Sequence, residues 1–196
     1  MTMKKIFVSQ RVDEHPDYGE RRDALDQKWT EFLWQLGYIC LPAPNHTEMV
    51  KKMLIDIPPA GILLTGGPIG TAPERDALDE CLISYASSNK IPLLGVCRGM
   101  QSIILHYKGT LKKVEDHIAV RHMLDNGREV KSYHGYGPDI LPDVLTPLAH
   151  STKDGSIEQI KHIWLPMYGI MWHPERESPF NDMDIEFVGN LFRGLL

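Results

Sequence analysis

The chain has 196 residues, of which 42% are hydrophobic and 24% charged, and its formal net charge is −5. That length suits one α/β domain over residues 1–196 with a single sizeable core, and the composition excludes a disordered or fibrous chain. The mildly acidic balance excludes the basic stripe of a nucleic-acid carrier, while leaving room for a small anion held by a few arginines.

Residues 1–10 carry two lysines and then a short β-like run, without the long apolar segment or cleavage site of a signal peptide. Residues 6–9 are expected as a strand. Residues 22–36 place Leu25, Trp29, Phe32, Leu33 and Leu36 at helical spacing, and Gly37 stops them. A second strand, 38–41, is ended by Pro42 and Pro44, and 48–55 reads as a short helix. A third strand, 61–65, runs into Gly66-Gly67-Pro68. A helix at 75–87, a fourth strand at 91–96 and a helix at 99–107 follow. Apolar strands separated by helices predict a three-layer α/β core whose mostly parallel sheet is covered on both faces. After Gly109, residues 128–133, 157–164 and 168–172 read as antiparallel strands extending or flanking that sheet, and 182–192 closes as an amphipathic helix. No apolar run approaches a membrane span, so no membrane partner is expected.

Three widely spaced cysteines, Cys40, Cys81 and Cys97, fit neither a disulfide framework nor a zinc ribbon. A reducing cytoplasm with one working thiol accounts for them. Cys97 is the informative one. A buried strand runs directly into a helix, and Cys97 sits at the junction with Gly95 and Gly99 two residues to either side. Residues without a Cβ relieve the crowding of a sharp strand-to-helix turn. Such a turn presents the thiol at the carboxyl edge of the sheet, beside a helix N-terminus that favours thiolate. Cys40 and Cys81 lack this context and are expected in or near the core.

A thiol nucleophile needs a base within about 3 Å and a group that orients the base. Near the C-terminus, Trp172-His173-Pro174-Glu175 offers both: a strand delivers His173 to its end, Pro174 stops the strand, and Glu175 can reach round to the imidazole. Thr65-Gly66-Gly67-Pro68 lacks the Lys-Ser/Thr of a phosphate-binding P-loop. Its expected job is an oxyanion hole, with the N–H groups of Gly67 and Arg98 converging on a carbonyl oxygen. Gly66 is equally consistent with a tight turn alone.

In order and spacing, Thr-Gly-Gly-Pro, Gly-Val-Cys97-Arg-Gly-Met-Gln101 and Trp-His173-Pro-Glu175 together resemble class I glutamine amidotransferase domains. The resemblance implies a flavodoxin-like core and a Cys97-His173-Glu175 triad that needs no metal or cofactor. It further implies that Gln101 contacts the amino-acid end of a γ-glutamyl group, with Ser132, Tyr133 and His134 in the segment whose backbone holds that same end. Within the family, Cys97-Arg98-Gly99-Met100-Gln101, Arg75-Asp76 and Ser132-Tyr133-His134-Gly135 are similar to the γ-glutamyl hydrolase branch. The stretches from Val8 to Val12 and from Tyr18 to Asp26 look most like hydrolases of γ-glutamyl-CDP-amidate, an activity that supplies capsule phosphoramidate. The implied partner is a small γ-glutamyl amide, and a homodimer is compatible with it.

Arginine pairs well with phosphate. Arg11, Arg21, Arg22 and Arg176 are therefore candidate phosphate contacts, a reading that requires at least two to converge beside Cys97. His117 and His122 lack a carboxylate or cysteine cluster at ligand spacing, so both are expected as structural or exposed residues and no metal site is assigned. Three rival readings stay open. One is a hydrolase of the γ-glutamyl-γ-aminobutyrate type. Another is a subunit passing ammonia to a synthetase. The third is a thiol sensor, against which the His173-Pro-Glu175 arrangement argues.

Overall fold

A computed structural model describes residues 2–196. The chain opens with β1 (Lys5–Ser9), a hairpin of β2 (Arg11–Glu14) and β3 (Arg21–Ala24), helix α1 (Gln27–Gln35), β4 (Ile39–Ala43) and α2 (Thr47–Asp56). Then come β5 (Gly61–Leu64), α3 (Pro73–Asn89), β6 (Leu93–Val96) and α4 (Arg98–His106). The second half holds β7 (Leu111–Lys113), β8 (Ile118–Met123), β9 (Glu129–Tyr133), β10 (Tyr136–Pro138), β11 (Leu145–His150), β12 (Ile157–His162) and β13 (Met167–Ile170). A 3-10 turn (Pro174–Arg176) and α5 (Asp182–Arg193) close the chain.

Seven strands form the main sheet in the order β11-β12-β13-β6-β5-β1-β4. The last five run parallel, and β11 and β12 add an antiparallel edge. Alternation along the buried strands sorts side chains to two faces. Ile6, Val8, Leu63, Leu94 and Val96 pack against Trp29, Phe32 and Leu33 of α1 and Val188, Leu191 and Phe192 of α5. Phe7, Ile62, Leu64 and Leu93 face the other way, onto α2, α3 and α4. The result is the three-layer α/β core with a mostly parallel sheet that the sequence predicts. No helix among the described residues is long and apolar enough to cross a membrane.

The structure corrects three expectations. The helix expected from residue 22 begins at Gln27, and Arg21–Ala24 is a strand. Asp26 caps the helix by accepting from the Lys28 N–H at 3.0 Å. Ahead of the cap, opposite charges face each other across the hairpin, Glu14 opposite Arg21 and Asp13 opposite Arg22. Such pairs stabilise an exposed ladder. Next, β4 continues through Pro42 to Ala43, because it is the edge strand and one of its sides needs no donor. Finally, the strand expected over 168–172 as antiparallel runs parallel to β6 in the middle of the sheet, pairing Met167 with Leu93 and Ile170 with Val96. Only its contact with β12 is antiparallel.

Candidate active site

The fourth sheet strand delivers Cys97. Leu93–Val96 are all buried, and Cys97 turns the chain into α4 with φ 52° and ψ −103°. Positive φ in a residue with a Cβ costs of order 1–3 kcal/mol, so the surroundings must enforce it. Two glycines do so. A Cβ on Gly95 would come within 2.5 Å of the Gly99 carbonyl carbon, and one on Gly99 within 2.3 Å of the Leu64 oxygen. The Cys97 N–H donates to the Ile170 oxygen at 2.7 Å, which ties the turn to the end of β13. Arg98 is the first residue of α4, where helix geometry provides its N–H with no intrahelical acceptor.

From the end of β13, His173 and Glu175 reach the same place. Cys97, His173 and Glu175 are 5%, 3% and 2% exposed. His173 Nδ1 lies 2.7 Å from Glu175 Oε1. Burial lowers the imidazole pKa, but hydrogen bonds to the Cys97 sulfur and to Glu175 outweigh it and raise the value to about 9. At neutral pH the ring is therefore protonated between a sulfur and a carboxylate, a suitable partner for a thiolate nucleophile. Gly66 makes room for it: a Cβ there would stand 2.6 Å from His173 Cε1. Gly66 is thus more than a turn residue. Tyr133 meets the imidazole edge-on, with ring centroids 5.6 Å apart.

A cleft of about 600 Å³ opens over Cys97 and His173, walled by Gly67, Pro68, Gln101, Tyr133, His134, Tyr136 and Arg176. Gln101 is pinned, its Nε2 donating to the Tyr136 oxygen at 2.8 Å. Ser132 is fully buried and is not part of the cleft lining. Of the four candidate phosphate arginines, Arg176 lines the cleft, stacked 4.4 Å over the Tyr133 ring. Arg11 and Arg176 share a smaller adjoining cavity with Gly67 and His173. Arg21 and Arg22 lie elsewhere, Arg21 bonded to Glu74 and Glu14, and Arg22 to Glu20 and Tyr18. Only Arg176 therefore stands beside Cys97, so the expected convergence of at least two arginines is not met; Arg11, in the adjoining cavity, is bonded to Asp13 at 2.9 and 3.1 Å.

One set of supporting residues escaped the sequence reading. The buried Arg98 guanidinium bonds Asp79 and Asp76, and its Nε donates to the Pro68 oxygen at 3.0 Å. Arg75 bonds the other oxygen of Asp79 at 3.0 Å and donates to the Thr65 oxygen, also at 3.0 Å. Ser9 Oγ accepts from the Thr65 N–H at 3.1 Å. These contacts bolt the glycine turn to the start of α4, which holds the Gly67 and Arg98 backbones in register. Burying two arginines is tolerable only because Asp79 and Asp76 neutralise them. The spacing of Arg75 and Asp79, four apart on one helix, was the available signal.

His117 and His122 fall on the structural side of the expectation, but the carboxylate expected to be absent beside them is present. His117 and His122 are buried, and Glu158, far along the chain, packs against both. His134 joins them there as well as lining the cleft.

Comparison with known proteins agrees with this geometry. The family model for glutamine amidotransferase class-I matches residues 29–190. A γ-glutamyl-CDP-amidate hydrolase of Campylobacter jejuni is 30% identical over 193 residues, covering 92% of this chain and 94% of that protein. The second component of an anthranilate synthase from Azospirillum brasilense is 29% identical over 167 residues, 78% of this chain and 83% of that one. Among solved structures, one from Thermoplasma acidophilum, assigned provisionally as part of a GMP synthase, shares the fold. Its TM-score is 0.73 at 22% identity, over 98% of this chain and 94% of that one.

Proposed function

The chain belongs to the class I glutamine amidotransferase family and is a hydrolase acting on an amide C–N bond; from that premise we propose that it cleaves γ-glutamyl amides through a γ-glutamyl thioester, with γ-glutamyl-CDP-amidate the preferred substrate. The observation that carries the reading is the buried row of Cys97, His173 and Glu175 under an open cleft.

The Cys97 sulfur attacks the γ-carbonyl carbon, and the carbonyl electrons move onto oxygen. The Gly67 and Arg98 N–H groups donate to that oxyanion, each worth about 2.7–4 kcal/mol in the barrier. Protonated His173 gives its proton to the leaving nitrogen as the C–N bond breaks. Neutral His173 then takes a proton from water, which attacks the thioester and releases glutamate. Glu175 holds the Nδ1 side of the ring throughout. Gln101 and the 133–136 wall receive the amino-acid end of the substrate.

Two observations support the nucleotide-bearing leaving group. The cleft volume falls in the range of about 300–1,000 Å³ that encloses drug-sized ligands, more room than an ammonia leaving group requires. Arg176 stands at its rim, where a phosphate would meet a planar guanidinium donor; Arg11, in the adjoining cavity, is bonded to Asp13 and would have to exchange that partner to join it. The likeness to the Campylobacter jejuni protein supports the same choice, since its 92% coverage carries it into the residues ahead of the family model.

The test is glutamate released by the isolated chain from glutamine, γ-glutamyl-γ-aminobutyrate and γ-glutamyl-CDP-amidate. The reading expects the highest kcat/KM for the last. Glutamine as the best substrate would overturn the leaving-group assignment and favour a chain that supplies ammonia to a synthetase, the alternative to which the likeness to an anthranilate synthase component points. Full turnover by Cys97→Ala would overturn the thioester.

A further inference from the structure

Behind the cleft wall lies a group of side chains that, His134's place in the wall aside, the proposed reaction does not use. His117 precedes β8, His122 lies within it, His134 follows β9 and Glu158 comes from β12. His117 and Glu158 are fully buried, and His134 and His122 are 3% and 8% exposed. His117 Nδ1 stands 3.3 Å from Glu158 Oε1, His134 Nε2 stands 3.2 Å from the same oxygen, and His122 Nε2 is 3.7 Å from Oε2. Yet none of these three nitrogens, nor Glu158 Oε2, has a hydrogen-bond partner among the described residues. At 3.2 and 3.3 Å the fault is one of direction rather than reach. The ligand atoms of His117, His122 and Glu158 all lie within 4.8 Å of one another. They crowd a common space at ion-pair distance, without well-directed hydrogen bonds across it.

Leaving a buried polar group unpaired costs about 1–3 kcal/mol, and more where charge is involved. A cation in that space removes the cost for His117, His122 and Glu158 directly, and for His134, which meets the cluster at Glu158 Oε1, once its ring turns onto the ion. Zinc bound tetrahedrally at about 2.0–2.2 Å spaces its ligand atoms roughly 3.3–3.5 Å apart; the nitrogen-to-Glu158 separations of 3.2–3.7 Å lie near that, and atoms within 4.8 Å of one another would draw in on binding. The surroundings match too. His117 Nε2 lies 3.0 Å from Asp154 Oδ2, and Asp154 Oδ1 accepts from the Ser156 N–H at 3.0 Å and from its hydroxyl at 2.8 Å. A carboxylate on the far nitrogen fixes the tautomer that leaves Nδ1 free to ligate.

We propose that His117 Nδ1, His122 Nε2, His134 Nε2 and a carboxylate oxygen of Glu158 form a closed, structural site for a zinc-type divalent cation. With three imidazoles and one carboxylate it has no open position, and it takes no part in the acyl transfer. It fastens the β8–β9 ladder to the main sheet at β12. Through His134 it also sets the segment that walls the cleft; this consequence rests on the reading of that wall as the substrate's seat, and the existence of the site does not.

The full chain, produced with zinc and without chelators, is dialysed and its metal measured by inductively coupled plasma mass spectrometry. About one zinc per chain is expected in the wild type and in Cys97→Ser, and at least a tenfold drop in His122→Ala/Glu158→Gln. Wild type stripped by chelator and supplied with cobalt(II) should show the visible absorption of a four-coordinate ion, and its Tm should rise by about 5 °C or more. This second arm decides the matter if the double variant does not fold. Stripped wild type that takes up neither zinc nor cobalt, with an unmoved Tm, overturns the proposal. So does metal that Cys97→Ser loses and His122→Ala/Glu158→Gln keeps. Neither arm reads turnover, so a failed substrate assignment leaves the result standing.

Discussion

On the Cys97 side of the cleft, buried parallel strands and interlocked glycines fix the backbone. The opposite side, from Leu111 to Pro138, consists of two separate two-stranded ladders, β7 with β10 and β8 with β9. The first side tolerates no added atom: Cβ positions at Gly95 and Gly99 fall on neighbouring backbone. The second side presents large exposed residues such as Ile118 and Tyr136 and is held by polar contacts, Gln101 to the Tyr136 oxygen among them. In the proposed reaction, charge develops where the molecule is closely packed, and the substrate would be recognised by small appended ladders.

The contrast can be broken or sharpened experimentally. The largest expected effect is chemical. Cys97→Ala should lower glutamate release by about 10⁴-fold or more while leaving the thermal transition in place, read by turnover and calorimetry together. Next comes packing. Gly99→Ala should destabilise by at least about 1–3 kcal/mol in urea unfolding, because its Cβ meets the Leu64 backbone. A loss of specificity with unchanged stability would show that this side is not rigid after all. On the other side, Arg176→Ala should cost about tenfold in kcat/KM for a diphosphate-bearing γ-glutamyl amide, in line with one charge-assisted contact, and little for glutamine. Arg21→Ala, whose side chain is engaged with Glu74 and Glu14, should leave both unchanged.

A smaller effect concerns pH. The His173 pKa is raised from 6.5 to about 9, because its bonds to Cys97 and Glu175 outweigh burial. The folded protein therefore keeps a proton that the unfolded chain has lost. Its stabilisation is complete below about pH 6.5 and is lost as pH rises through 9. This single proton adds a falling slope of up to about 1.4 kcal/mol per pH unit to the unfolding free energy in that window. Urea titrations at several pH values should show it, and Glu175→Gln should flatten it. Gly135→Ala should move least, within about 0.5 kcal/mol, since its Cβ would meet only Ile118 Cδ1 at 3.8 Å.

What could be read from the sequence follows the same division. β1, β5 and β6 announce themselves as apolar runs, the last two leading into a glycine turn and a cysteine, and local pattern was enough to place Cys97 at a strand-helix junction. The β2–β3 hairpin was hidden because its charged residues pair across strands, and the helical spacing of Leu25 and Trp29 ran over its second strand. The orientation of β13 depends on which strand it joins, a property that no local window contains. Glu158 is distant in sequence from His117 and His122, and only the placement of β12 beside β13 brings it to them. Arg98 could be proposed for its backbone N–H, but its guanidinium partners, Asp76 and Asp79, are set by how α3 packs on α4.

The ladder between β6 and β13 has a wider implication. Val96 and Ile170 are partners in register, and the residues after them carry the sulfur and lead to the imidazole. Adjacent strands stand roughly 4.8 Å apart, and that spacing sets the two tracks from which Cys97 and His173 leave the sheet. Everything from residue 98 to residue 166 loops out and returns between those two fixed tracks. That excursion can be lengthened, shortened or redecorated without moving the strands from which Cys97 and His173 depart.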